Sequence, residues 1–126
     1  MEINIAKDFS KTPGSRYPVE SDFSGEEFRT KKLVPVLKKA MGNKEKLIVI
    51  LDGTAGLGTA FLEESFGGLI RNDKFKYNDI INTIEFISKN DPDYIDEIYN
   101  YLKLAESKEL DKQLEKFKKI KSKRSS

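Results

Sequence analysis

Two residue types that many enzymes and metal sites draw on are missing here: the chain has no cysteine and no histidine. Without cysteine there is no disulfide framework, no thiolate metal site and no thiol nucleophile. Without histidine the usual general base near neutral pH and the commonest transition-metal ligand are gone. Long apolar runs are also lacking. No stretch is long and apolar enough to span a bilayer, and Met1 to Phe9 has no apolar centre of the signal-peptide kind. An excess of one charge is absent too: 23 basic against 21 acidic residues leave a net charge of +2, so the chain as a whole makes no strong case for nucleic acid. A length of 126 residues, 37% of them hydrophobic and 35% charged, suits one globular domain with a charged extension. The expectation is a cytoplasmic protein with no membrane association.

What the chain does have is a dense central segment, Lys46 to Arg71. Leu47 to Leu51 is an apolar run too short for an ordinary helix and rich in β-branched residues, which reads as a parallel strand buried on both faces. Asp52 to Gly58 supplies three glycines in seven positions, a tight turn in which φ is free to become positive. From Thr59 the apolar residues take helical spacing, with Phe61, Leu62, Ser65, Phe66, Leu69 and Ile70 on one side and Glu63, Glu64 and Arg71 on the other.

Around this segment, Met1 to Phe9 reads as a short half-buried strand. Pro13-Gly14 marks a turn that would join it to Arg16–Val19 in a hairpin. Ser24-Gly25-Glu26-Glu27 is a capping box. It starts a helix that points Phe28, Leu33, Val36, Leu37, Ala40 and Met41 inward, with Pro35 expected to kink or split it. Gly42-Asn43 would end it in a left-handed turn. A short helix over Lys74–Ile81, a second core strand over Thr83–Ile87, and a helix capped by Asp91-Pro92 that buries Ile95, Ile98, Leu102 and Ala105 complete the pattern. Beyond it Leu110, Leu114, Phe117 and Ile120 keep a thin apolar stripe, six basic residues fall between Lys116 and Arg124, and Ser122–Ser126 are expected to be disordered. The expected fold is α/β, a small mixed sheet with helices packed on it. Residues 1–106 would form the domain and 107–126 a charged helical extension and tail.

Each candidate site has an ordinary reading beside it. Gly56-x-Gly58 after a strand ending in Asp52 looks like the first motif of S-adenosylmethionine-dependent methyltransferases. However, the third glycine of a dinucleotide fingerprint is Phe61 here, no Lys-Ser or Lys-Thr pair follows as in a P-loop, and too few strands remain. A small-molecule or nucleotide binder using this loop is the alternative function. Glu63 and Glu64 read as a solvated first-turn face, because neighbouring helical positions diverge by about 100°. Asp52 either holds a magnesium ion or, the favoured reading, hydrogen-bonds a turn. Arg16 reads as a surface arginine more readily than as an anion site, and Gly67-Gly68 as close packing or a cap. The basic run from Lys116 could grip phosphates, but only Phe117 interleaves it, so a solvated tail is favoured over nucleic-acid binding.

Taken together, TPGSRY, SGEEFRTKKLVPVLKKA, LIVILDGTAGLGTAFLEESFGGLIR and TIEFIS resemble the STAS-like domain family of unknown function, itself similar in outline to the sulfate-transporter and anti-sigma-factor-antagonist domain. The portion that carries the likeness is Leu51-Asp52 followed by Thr59-Ala60-Phe61-Leu62-Glu63-Glu64-Ser65-Phe66-Gly67. What the resemblance implies is a non-enzymatic regulatory module without a cofactor or metal, binding a protein partner such as an ATPase of the histidine-kinase type. Its switch surface would be Asp52, Gly53, Thr54, Gly56, Gly58, Thr59 and Glu63. Thr59 would be the phosphorylation site at a helix N-terminus; as an ordinary residue it would simply be the N-cap.

Overall fold

A computed structural model describes the backbone of residues 1–124 and the side chains of residues 1–121. Three short strands, β1 (Glu2–Asn4), β2 (Leu47–Ile50) and β3 (Ile84–Ile87), make one sheet in the order β1-β2-β3. Both pairings are parallel, with Ile3 opposite Val49 and Val49 opposite Phe86. The α/β class is as expected, and the sheet is parallel throughout. Leu47 and Val49 are fully buried while Ile48 and Ile50 are half-buried, so β2 is less enclosed on its second face than its composition suggests.

The expected N-terminal hairpin does not form. β1 stops at Asn4, where the Asn4 side chain accepts from the N–H of Lys7 and Asp8 reaches back to the N–H of Asn4. This reciprocal cap turns Ile5–Phe9 into a single π-helical turn. Residues 16–19, read as the partner strand, lie in an irregular loop, and β1 pairs with β2 instead. Pairing beside the central strand buries Ile3 and Ile5 in the core, which a local hairpin would not.

Helix α1 spans residues 25–42 in three continuous stretches, Gly25–Glu27, Phe28–Leu33 and Val34–Gly42, the middle one π-wound. Ser24 caps it as expected, accepting from the N–H of Glu27 at 3.2 Å. Pro35 neither splits the helix nor ends it; it falls just after the π stretch, where the bonding pattern has already shifted, with the Val34 N–H on the Arg29 carbonyl. Phe28, Leu33, Leu37 and Ala40 are buried, and Val36 and Met41 only partly. The left-handed residue that closes α1 is Lys44 (φ 56°), not Gly42 or Asn43. Its N–H bonds to Met41 O and that of Glu45 to Ala40 O, a Schellman closure.

Helix α2 spans residues 59–71, with a π-wound centre at Glu63–Gly67. α3 (Tyr77–Thr83) leads into β3, and α4 (Asp93–Arg124) packs on α2. Asp91 does not cap α4 with its side chain; its carbonyl takes the Tyr94 N–H and the Ser88 hydroxyl. Ile98, Leu102 and Ala105 are buried and Ile95 partly so. α4 runs unbroken through Arg124, so residues 122–124 are helical where disorder was expected; Ser125 and Ser126 lie outside the described residues. A ring chain from Phe9 through Phe28, Phe61, Phe66 and Phe86 to Tyr99 joins α1, α2, β3 and α4 into one core.

Candidate partner-binding face

The loop between β2 and α2 is held by three anchors. Asp52 accepts from the N–H groups of Asn90 (2.8 Å) and Lys89 (2.9 Å), and these bonds hold its carboxyl below the usual range. The favoured reading of Asp52 as a turn ligand is right in kind, but the turn is the distant one between β3 and α4. The Ala55 N–H reaches Lys11 O at 2.7 Å, and the Leu57 N–H reaches the Tyr94 hydroxyl at 3.1 Å while its side chain is buried. Gly53 alone has positive φ (99°), with Ala6 close behind it. At Gly56 and Gly58 a Cβ would project into open space. Thr54 is half-buried, and Gly58 rather than Thr59 is the N-cap of α2, with extended backbone and no side-chain bond. Thr59 is therefore the first helical residue, exposed beside N–H groups that helix geometry leaves without intrahelical partners.

Beside this loop, residues 14–23 close on themselves. The Gly14 N–H donates to Phe23 O and the Ser15 N–H to the Ser21 hydroxyl, while Gly25 N–H returns to Ser15 O. Gly14 is required, because a Cβ there would collide with the Asp22 carbonyl. The loop displays Tyr17, Phe23 and above all Val19, which is 92% exposed. Phe23 holds φ of 56°, a conformation that bulky residues rarely adopt. Its ring meets Phe9 edge-on, and Phe9 in turn packs on Phe61 in the first turn of α2. The two loops are thus neighbours on one side of the molecule.

Under this face lies a cluster of three arginines and three carboxylates that the sequence did not disclose. Glu63 Oε1 receives Arg16 Nη1 at 2.6 Å and Glu63 Oε2 receives Arg71 Nη1 at 2.8 Å. Glu64 Oε2 pairs with Arg71 Nη2 at 2.7 Å, and its Oε1 with Arg29 Nη1 at 3.2 Å. Glu64 is 2% exposed and Arg29 3%, so the expected solvated glutamate face is overturned. Both carboxylates, though on neighbouring helical positions, meet the same two guanidinium groups, Arg16 and Arg71. Arg16, read as a surface residue, is the clasp between the exposed loop and α2. Arg29 Nη1 also donates to Glu64 O at 2.8 Å. Its Nε stands 2.9 Å from Asp73 Oδ2, yet the N–H direction misses hydrogen-bond geometry, so this is an ion pair between two atoms with no hydrogen bond. Burial pushes the Glu63 carboxyl up, but hydrogen bonds from Arg71 and Arg16 outweigh it and leave the group below its usual value. The Glu63 hydrogen bond raises Arg16 in turn. Arg29 and Asp73 went unnoticed in the sequence; the mid-helix Gly67-Gly68 was the signal. A Cβ on Gly68 would lie 2.9 Å from Arg29 Cζ.

A cleft among the described residues lies between Glu63, Arg71, Tyr101 and Lys108, and residues 52–59 do not line it. No group of three or more metal-ligating side chains occurs among the described residues, and no described helix is long and apolar enough to cross a membrane. The fold and this face define a small parallel α/β domain with an exposed loop at the start of its central helix. The family model for a STAS-like domain of unknown function matches residues 24–94, more than half of the chain, and the protein belongs to that family. No curated protein and no solved structure matches it significantly.

Proposed function

We propose that the protein is a non-enzymatic regulatory module that binds another protein through the face made of residues 52–59, the first turn of α2 and the loop at 14–23. The observation that carries this reading is the display of Tyr17, Val19 and Phe23 on a loop closed by its own hydrogen bonds. Large apolar groups held outward on a fixed loop are what a protein-docking surface needs. The partner class is an ATPase of the histidine-kinase type, and Thr59 is the switch. A phosphate on its hydroxyl would meet the free N–H groups of α2 and add charge to the docking surface. Gly56 and Gly58 face open space, so they leave the loop's outer surface bare for a partner.

The test is affinity capture from native lysate with mass spectrometry, followed by calorimetry with the purified partner. Val19→Asp, Gly56→Arg and Thr59→Glu are compared with the parent chain; all three sites are exposed, so circular dichroism should be unchanged. The expected outcome is an ATPase bound by the parent and weakened at least tenfold by each variant. Binding unaffected by all three overturns the assigned face. S-adenosylmethionine or a nucleotide bound to the purified chain, with no protein captured, would establish the alternative instead.

A further inference from the structure

α4 outruns the domain it packs on. Ile98, Leu102 and Ala105 seat its first half against the core, and the Glu109–Lys74 ion pair (2.6 Å) ties the helix down near the edge of the domain. From Leu110 to Lys121 every side chain is exposed. Yet this arm is not uniformly polar: Leu110, Leu114, Phe117 and Ile120, 52–62% exposed, recur at spacings of four, three and three along one side. Residues 110–124 extend about 22 Å, and a helix of that length is marginal in water without a partner for its apolar side. Where the arm leaves the domain, its stripe borders a cleft of about 410 Å³ lined by Ile70, Phe75, Tyr77, Glu106 and Leu110.

We infer that the arm pairs antiparallel with the arm of a second copy of this chain. Charge order along the helix selects both the occupant and the direction. Beside the stripe acidic residues come first (Glu106, Glu109, Asp111) and basic ones after (Lys116, Lys118), while Lys108, Lys112, Glu115 and Lys119 lie on the opposite side of the helix. An antiparallel pair centred between Gln113 and Leu114 sets Leu110 opposite Phe117 of the second copy, and brings Asp111 beside Lys118 along one flank of the stripe and Glu109 beside Lys116 along the other. Each contact occurs twice by symmetry. A parallel pair in register would instead bring Glu109 beside Asp111 and Lys116 beside Lys118 of the second copy, like charge against like, and flanking charges set orientation in paired helices. The same register carries Phe117 of the second copy to the mouth of the cleft at Phe75 and Tyr77, so the cleft and the stripe are filled together.

Sedimentation equilibrium of the full chain tests this. The expected result is a mass rising toward twice that of the chain through the micromolar range, and monomer throughout for Phe117→Asp. Asp111→Lys and Lys118→Asp should each be monomeric alone, while an equimolar mixture of the two regains the dimer, since each then offers the other opposite charges. All three positions are solvent-exposed, and circular dichroism checks that helicity is kept. A parent chain that stays monomeric, or a mixture that fails to recover, overturns the inference. So does a monomer that instead binds vesicles rich in anionic lipid through Lys116–Lys119.

Discussion

At the scale of single residues the molecule turns on Gly68 and the guanidinium that lies across it. Alanine in place of glycine inside a helix ordinarily stabilises by roughly 0.5–1 kcal/mol. Here the new methyl would press on Arg29, whose head group is pinned by Glu64 O, the Glu64 carboxylate and Asp73 and has no free space to retreat into. Displacing it would leave Asp73 without its cation and one Glu64 oxygen without its partner, and breaking a buried pair costs about 3–5 kcal/mol. The clash wins, so Gly68→Ala should lower stability by about 2–4 kcal/mol in chemical denaturation. A neutral or stabilising result would show that Arg29 is not held as described. Glu63 gives a prediction in pH. Its folded carboxyl lies below the ordinary value, so its contribution is complete above the unfolded carboxylate value of roughly 4.3 and is lost as pH falls through the folded one. Glu63→Gln should therefore be less stable than the parent near pH 7, by about 1 kcal/mol for a partly exposed pair. That gap should close between roughly pH 5 and pH 3 in parallel thermal melts. A gap that is constant over this range would mean that Glu63 does not titrate against Arg71 and Arg16.

At the scale of elements, what could be read ahead of the structure was whatever the local pattern decides by itself. The strand–loop–helix from Leu47 to Arg71, the capping box at Ser24 and the second core strand at Ile84–Ile87 were legible, because apolar period and cap chemistry act within a few residues. The hairpin at Pro13-Gly14 misled for the complementary reason. A turn signal fixes the chain's direction but not its pairing, and a place beside β2 buries Ile3 and Ile5 more completely. The π-wound stretches Phe28–Leu33 and Glu63–Gly67 had no signature in residue type. Within them Arg29 and Glu64 are buried, at positions that helical spacing alone did not mark as core. A run of Glu-Glu with a later Arg reads as a polar face unless the glycine pair beside it is taken as room for a buried side chain. Of the candidate loop, Asp52 and the Gly53 turn were legible as anchors. The exposed Tyr17, Val19 and Phe23 were not, because apolar side chains in a loop look like core until the fold shows that nothing covers them.

At the scale of the whole molecule, the two proposals divide the protein between a face for a partner and an arm for a second copy, and experiment can separate them. Side chains from Leu110 to Lys121 are all exposed, so removing residues 110–126 should take away little of the folded core. In dilute solution the shortened chain should melt within a few degrees of the full one, since about 1 kcal/mol corresponds to roughly 4–8 °C for a domain of this size. The full chain should behave differently as its concentration rises. Association that only the folded state can make raises the melting temperature by mass action, so its midpoint should climb with concentration while that of the shortened chain stays flat. Hydrogen exchange gives the same contrast residue by residue: amides of 98–105 should be protected at any concentration, and those of 112–121 only where the chain self-associates. A shortened chain that unfolds early even when dilute would make the arm a structural part of the domain. Flat midpoints for both chains, with the arm amides unprotected throughout, would leave the apolar stripe without a second copy and return the arm's charge order to some other partner.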